Sequence, residues 1–258
     1  MNHETDLVIV GAGPVGLMCA YLAERCGLST TRKLPGAAFG EHIDAFWTWD
    51  RWIREGKLTV PFEVAHVDAH ADLGLRDSSW VYLLTELLGL PPTERNHPRT
   101  GSDALNSGSY LAYALANRWI ASAKYVHPTI PSSLVSKDDP NDMSMEAFVR
   151  RFSPTLDEEH EDDGCPDDIM TVYFRDEDPK SRVIELRHFS REQRQEMIYG
   201  SKNLRPVHRE PPVPFDFVAG DAFSENGFTH IVVAQSPDFL PESADLLMEI
   251  CKEYFDPA

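Results

Sequence analysis

The chain has 258 residues, of which 42% are hydrophobic and 26% are charged, a composition typical of a soluble globular enzyme. Its formal net charge of -18 argues against nucleic acid or an anionic membrane as a partner and favours a cationic substrate. This length fits one large α/β domain, or at most two small ones, and we expect a single domain over residues 1–258. The four cysteines lack metal-type and disulfide-type spacing, and we find no signal peptide or transmembrane run, so we expect a cytoplasmic protein.

Residues 5–30 predict a strand followed by a helix. An apolar strand ending at Val10 leads into Gly11, Gly13 and Gly16, and this segment resembles the opening of FAD-dependent monooxygenases, whose glycines let a pyrophosphate approach a helix N-terminus. Such a fingerprint needs an acidic residue about twenty residues later to hold the ribose, but none lies between Gly27 and Glu41. We therefore expect no dinucleotide cofactor, and interpret the segment as a β-α unit packed on, or appended to, the main sheet.

A second predicted helix begins near His42 and continues through Trp52. Phe46, Trp49 and Trp52 recur at helical spacing, which is more typical of a core face than of a cofactor pocket. His42 would lie in the first turn, where a strand-to-helix junction directs a side chain toward the carboxyl edge of a sheet. It is a candidate metal ligand, and the alternative is a capping or surface histidine.

Residues 65–73 carry the most informative pattern, Ala-His-Val-Asp-Ala-His-Ala-Asp-Leu, directly after an apolar run. Read as a strand, this segment directs Asp68, His70 and Asp72 to one face, at the end where open α/β sheets place their sites. Grouped acceptors repel one another unless a cation lies between them, and two carboxylates with one imidazole suit a hard or borderline ion such as Mn²⁺. The sequence therefore predicts a metal site here, with a solvated polar strand face as the alternative.

The rest of the chain predicts further alternation of helices and strands, which is typical of an α/β fold with a mainly parallel sheet. Helices are expected at 80–90, 105–120 and 243–254; strands at 123–127, 214–223 and 230–234; and a hairpin from 170–174 and 182–189. Residues 132–168 are acidic and interrupted by proline, which is typical of a lid or insertion rather than of a core.

The order of these features resembles the arginase (ureohydrolase) superfamily, in which a lone histidine, an Asp-x-His-x-Asp strand and a later acidic strand bind two Mn²⁺ ions. The likeness is closer to the peptide arginases, which convert arginine to ornithine inside ribosomally made, modified peptides. It covers about residues 36–256 and is carried by Glu41-His42, by residues 67–73, by Asn-Ser-Gly-Ser-Tyr-Leu at 106–111 and by Ala-Gln-Ser-Pro-Asp-Phe at 234–239.

The resemblance implies a three-layer α/β/α arginase-like fold, two Mn²⁺ ions, and an arginine-containing precursor peptide as the partner. The implied metal ligands are His42, Asp68, His70, Asp72, Asp216 and Asp221, with His70 and Asp72 also catalytic and Asp72 passing a proton to the leaving amine. The implied substrate-binding residues are Glu41, Asn106, Ser109, Glu225 and Asp238.

The chain departs from that family at three places. Val218 stands where a second acid of the late strand is expected, and Ser109 and Tyr110 stand where arginases place a histidine. The guanidinium-binding glutamate that arginases place next to the last strand has no counterpart directly before Ser236. Other readings remain: another ureohydrolase, a one-metal amidohydrolase or deacetylase of the same fold, or a flavin-binding or non-catalytic module. The oligomeric state stays open, with a homo-oligomer as one option.

Overall fold

A computed structural model of the chain describes residues 7–11, 33–68, 72–73, 79–127, 172–175, 178–198, 204–220, 222–225, 227–235, 248–249 and 251–258. The chain divides into two compact units. The first consists of Met1–Asp72, Trp119–Thr129 and Asp216–Ala258, and the second of Leu73–Arg118 and Ile130–Phe215. The expectation of one domain over the whole chain stays a prediction.

The described residues form a mixed α/β structure with a parallel-rich sheet. The elements are, in chain order, β1 (Leu7–Gly11), β2 (Leu34–Phe39), α1 (Ile43–Arg54), β3 (Phe62–Val67), α2 (Ser79–Thr85), α3 (Tyr110–Ala116), β4 (Ile120–His127), β5 (Val172–Arg175), β6 (Asp178–Ile184), β7 (Arg187–His188), α4 (Arg194–Ile198), β8 (His208–Arg209), β9 (Val213–Ala219), β10 (His230–Ala234) and β11 (Phe255–Pro257).

In the first unit the strand order is β11-β2-β10-β1-β3-β4, and every neighbouring pair in this series is parallel. Leu7 pairs with His230 on one side and with Val64 on the other, so β1 is an interior strand. The structure thus places the strand of the flavoprotein-like segment inside the sheet. Residues 12–32, which contain its predicted helix, lie outside the described part of the chain.

Side chains from this sheet are buried on both of its faces. On one face, Trp49 contacts Phe62 at 5.6 Å between ring centroids and Trp52 contacts His230 at 5.3 Å, which packs α1 against β3 and β10. Because side chains alternate along a strand, Ala65, Val67, Ile231 and Val233 point to the other face, where they form an apolar cluster with Phe223, Met248 and Phe255. The prediction that the tryptophan stripe of α1 is core is confirmed, since Phe46, Trp49 and Trp52 are all fully buried.

The pairing of β2 with β11 leaves no room for a side chain at Gly36. A Cβ at this position would lie 2.6 Å from both Cβ and Cγ of Phe255. We expect Gly36→Ala to lower the free energy of unfolding by about 1–3 kcal/mol, because the buried ring and its strand would have to shift. Urea unfolding measures this change.

Gly40 provides the matched control for that substitution. A Cβ at Gly40 meets nothing within 4 Å, so Gly40→Ala should change the free energy of unfolding by no more than about 0.5 kcal/mol. Equal midpoints for the two variants would contradict the described contact between β2 and β11.

The second unit contains two short helices that are apolar on every side. All seven residues of α3 are buried, as are the five described side chains of α2, Val81 to Thr85. A helix that is hydrophobic all round belongs inside a core.

The strands of the second unit pair antiparallel. β5 pairs with β6, the first residues of β9 pair with β6, and β7 pairs with β8. The pairing of β5 with β6 confirms the predicted hairpin, although its second strand runs from Asp178 to Ile184 rather than over residues 182–189.

Arg95 is a buried cation in the second unit. Its guanidinium donates hydrogen bonds to the carbonyl oxygens of Leu88, Leu90 and Ala116, and forms a 2.9 Å ion pair with Glu210. Both residues of the pair are buried, Arg95 at 3% exposure and Glu210 at 6%. One side chain thus links the residues after α2, the end of α3 and the loop after β8.

Several element bounds differ from the sequence expectations. The helix expected to reach residue 120 ends at Ala116, and β4 begins at Ile120 because Arg118 adopts a left-handed φ of 61°, which breaks the helix. The helix expected at 80–90 ends at Thr85, and a 3₁₀ turn (Leu87–Gly89) follows. Of the expected helix at 243–254, residues 248, 249 and 251 are helical and 252–254 form a 3₁₀ turn.

Within the described part of the chain, no helix has the length and apolar character needed to cross a bilayer.

Candidate metal centre

Three predicted ligands meet in a buried cluster within the first unit. His42 Nε2 lies 2.8 Å from Asp68 Oδ2 and 4.0 Å from Asp72 Oδ2. One ligand atom from each residue lies within 4.8 Å of the others, and the side chains are 10%, 5% and 7% exposed, in the order His42, Asp68, Asp72. This arrangement could hold a metal ion.

His42 is placed by the junction of β2 and α1. β2 ends at Phe39, and His42 is the residue that caps the helix from Ile43 to Arg54. The buried aromatic side chains of α1, among them Trp49 and Trp52, hold this helix on the sheet. Their packing therefore also sets where His42 lies at the start of the helix. The amino end of a helix carries partial positive charge, which favours carboxylates beside it.

Asp68 is placed by β3. Phe62, Val64 and His66 alternate along the face of β3 that α1 covers, and the same alternation brings Asp68 to this face at the strand's carboxyl end. The backbone amide of Asp68 donates to the carbonyl of Val126 on β4, 3.2 Å away, which fixes the residue in the register of the sheet. Along this face the side chains change from apolar to polar toward the carboxyl end of β3, and the site lies at that end.

Asp72 reaches the cluster by a route that differs from the expected one. β3 ends at Val67, and Asp72 has a φ of 49°, in the left-handed region. The expectation of an extended strand through Asp72 is therefore wrong. Four residues of extended strand span about 13 Å, too far for Asp68 and Asp72 to share one ion, so an extended strand does not account for the position of Asp72. Aspartate tolerates the left-handed region better than most residues.

The site concentrates negative charge where little water reaches. Burial lowers the pKa of His42, but the hydrogen bond with Asp68 and the charges of Asp72, Asp68 and Glu41 outweigh burial, and the net pKa is raised above its ordinary value. Burial raises the pKa of Asp72 far above its usual range, with His42 opposing and Asp68 adding to this shift. Burial raises the pKa of Tyr125 as well, and the charges of Asp68 and Asp72 add to it.

The residues present fit a divalent cation. Asp72 Oδ2 is a buried carboxylate oxygen that accepts no hydrogen bond from the described residues, with His66 Nε2 at 3.5 Å and His42 Nε2 at 4.0 Å. A buried carboxylate without a hydrogen bond is costly unless a cation or proton compensates it. Two carboxylate oxygens and one imidazole nitrogen form a donor set that suits Mn²⁺, Mg²⁺ or Zn²⁺ more than soft thiolate-binding ions.

His66 is a residue at this site that the sequence analysis missed. Its side chain is fully buried, it stacks on Tyr125 with 5.9 Å between centroids, and its Nε2 lies 3.5 Å from Asp72 Oδ2. The sequence carries a signal for it, because His66 precedes Asp68 by two residues and so shares its face of β3. Its place within an apolar run favours a core residue instead.

The structure does not bring the other described candidates into the cluster. Asp216 is exposed on β9 because Val213 and Phe215 take the buried positions of that strand. Glu225 pairs with Lys124, and Glu41 is exposed beside His42. His70, Asp221 and Asp238 lie outside the described residues.

Asn106 and Ser109 belong to the second unit, where their side chains close the loop before α3. The Asn106 carboxamide donates to the carbonyl of Ala104 and accepts from the amide of Gly108, at 3.1 and 3.0 Å. The Ser109 hydroxyl accepts from the amide of Asn106 at 3.1 Å. These local hydrogen bonds explain why an asparagine and a serine stand at positions 106 and 109, and they require no bound ligand.

Comparisons with protein-family models, with curated proteins and with solved structures give no match for this chain.

Proposed function

We propose that the chain is a metal-dependent peptide arginase, which hydrolyses arginine side chains in a ribosomally made precursor peptide to ornithine and urea. The observation that supports this proposal is the buried cluster of His42, Asp68 and Asp72 at the carboxyl edge of a parallel-rich sheet. The resemblance over residues 36–256 supplies the substrate class. An arginase-like three-layer fold is part of the same proposal.

His42, Asp68 and Asp72 would hold one divalent ion, for which Mn²⁺ is the proposed identity. In the full proposal His70 and Asp221 contribute to a second ion. A divalent ion, when bound, lowers the pKa of a coordinated water toward neutrality and so supplies a nucleophile at neutral pH. The chain's own residues hold this centre, exclude bulk water through their burial, and carry the proton.

The proposed reaction breaks one bond of the guanidinium group. The water oxygen bonds to the guanidinium carbon, the bond between this carbon and Nε breaks, and the carbon leaves as urea. Both protons of the water end on the departing nitrogen, which becomes the ammonium group of ornithine. Asp72 is the proposed carrier of the first of these protons, since a carboxylate at the reacting water is within reach of the leaving amine.

The proposed substrate is arginine within a peptide rather than free arginine. A site for the free amino acid needs polar partners for its α-amino and α-carboxylate groups, and such a site rejects an amide-flanked residue. The sequence offers no recognisable pair of this kind after Asp72. The net charge of -18 would also attract a basic peptide.

Mass spectrometry of peptide and free arginine tests the proposal. With the Mn²⁺-loaded protein we expect an arginine-containing peptide to lose about 42 Da per converted site through metal-assisted hydrolysis, with stoichiometric urea. Asp68→Asn should abolish the loss. Asp256→Asn, whose carboxylate is 72% exposed at the sheet edge, should retain it. Rapid urea release from free arginine with an unchanged peptide mass would refute the peptide assignment alone.

A one-metal amidohydrolase or deacetylase is the second candidate. It is favoured by the exposure of Asp216, which the resemblance implies as a metal ligand. Metal analysis of the purified protein separates the two proposals, because a value near two ions per chain supports the arginase centre and a value near one supports the alternative. Acetate release from an acetylated lysine peptide, without urea, would decide for the alternative.

A further inference from the structure

His66 and Asp72 form a buried contact, although they differ in how the backbone holds them. His66 is on a regular strand, whereas Asp72 has left-handed backbone beyond the end of that strand. Secondary structure therefore fixes His66 but does not fix the carboxylate of Asp72. The groups that hold this carboxylate must come from other parts of the fold.

We propose that His66 is a positioning residue, whose imidazole holds the Asp72 carboxylate in the orientation required of a metal ligand. The proposal rests on the metal site of the proposed function and is independent of the substrate. His66 Nε2 is 3.5 Å from Asp72 Oδ2, which is an approach rather than a full hydrogen bond. A movement of about half an ångström converts this approach into an N–H donation to the carboxylate.

The imidazole itself has little freedom to move. Its ring is fully buried, and it stacks on the ring of Tyr125 at an interplanar angle of 27°. The paired register of β3 and β4 sets these two residues side by side. A rigid donor of this kind is what a metal-binding carboxylate needs, because outer partners of ligands orient them and typically contribute about 10- to 100-fold in metal affinity.

A further contact of the Asp72 carboxylate, with His42, agrees with this role. Asp72 Oδ2 lies between imidazoles from two elements, with His66 of β3 at 3.5 Å and His42, at the start of α1, at 4.0 Å. His42 is itself placed to be a ligand and contacts Asp68 at 2.8 Å. His66 is outside the group whose ligand atoms converge, so its function differs from that of His42.

Metal titration of the full chain tests the proposal without reference to activity. We expect His66→Phe, which keeps a stacking ring but removes the donor, to weaken Mn²⁺ binding by about 10- to 100-fold and to alter the visible spectrum of the Co²⁺-loaded protein. His230→Phe is the matched control, since His230 is a histidine of the same sheet that also contacts an aromatic ring, Trp52 of α1 at 5.3 Å between centroids, but lies at the opposite end of its strand. It should leave both readouts unchanged.

A pair of amide variants keeps the test decisive if His66→Phe does not fold. The amide nitrogen of glutamine occupies roughly the position of Nε2, whereas that of asparagine is nearer to Nδ1. His66→Gln should therefore retain metal affinity within a few-fold, and His66→Asn should lose at least about tenfold. Equal affinities for both variants, or wild-type affinity in His66→Phe, would overturn this inference. Failure of the wild type to bind any divalent ion would overturn it together with the proposed function.

Discussion

Asp68→Asn is expected to abolish the stabilisation of the protein by Mn²⁺. An ion that binds only the folded chain raises the free energy of unfolding, by about 2.7 kcal/mol at a concentration one hundred times its Kd. The substitution removes a ligand charge at unchanged size, so affinity should fall by more than about 100-fold, beyond the loss typical of an outer partner. Thermal unfolding with and without Mn²⁺ measures the effect.

The same experiment separates loss of a ligand from loss of the fold. Without metal, Asp68→Asn should unfold within a few degrees of the wild type, because one carboxylate fewer also reduces the repulsion that acts on Asp72. Removing the metal from the wild type with a chelator should lower its Tm to the same range. An Mn²⁺-dependent rise in the Tm of Asp68→Asn equal to that of the wild type would exclude Asp68 as a ligand.

Arg95→Met is expected to lower the free energy of unfolding by about 3–5 kcal/mol, since removal of one partner leaves the other charge buried and uncompensated. The Glu210 carboxylate, 6% exposed, would lose its cation, and three carbonyl oxygens would lose their donor. For a protein whose total stability is about 5–15 kcal/mol, this loss is a large fraction. Urea unfolding of the two proteins gives the difference.

Two further variants show whether burial of the ion pair is the cause. Replacing both partners, Arg95→Met with Glu210→Met, should be less damaging than Arg95→Met alone, because no unpaired charge remains. Arg118→Met is the matched control: Arg118 donates to the carbonyl of Pro211 on an exposed surface, and its loss should cost less than about 1 kcal/mol. Equal losses for Arg95→Met and Arg118→Met would refute the account.

The parts of the site that the sequence predicted are those set by short-range pattern. His42 follows from a strand-to-helix junction, and Asp68 from an apolar strand that ends in an acid, so both signals are local. Asp72 differs from the expectation because the alternation of residues 68–72 is typical of a strand, whereas Asp72 adopts a left-handed φ. Its close approach to His42 and Asp68 depends on the folded chain and not on this local pattern.

The parts that the sequence did not predict depend on partners far away along the chain. The interior position of β1 follows from its pairing with β10 and β3, which no local pattern encodes. The resemblance implies Asp216 as a ligand, yet Phe215 occupies the buried position beside it and Asp216 is exposed. His66 was grouped with its apolar neighbours because its polar partner, Asp72, lies beyond the end of the strand.

The pairing of β1 with β10 also governs when the sheet can form. Loop-closure entropy makes contacts between distant parts of a sequence slow to form, and parallel pairing of this kind raises the contact order of the fold. During synthesis β10 emerges more than two hundred residues after β1. Until then a nascent chain would carry an apolar strand with one unsatisfied edge, a state prone to aggregation that favours expression conditions with slow synthesis and abundant chaperones.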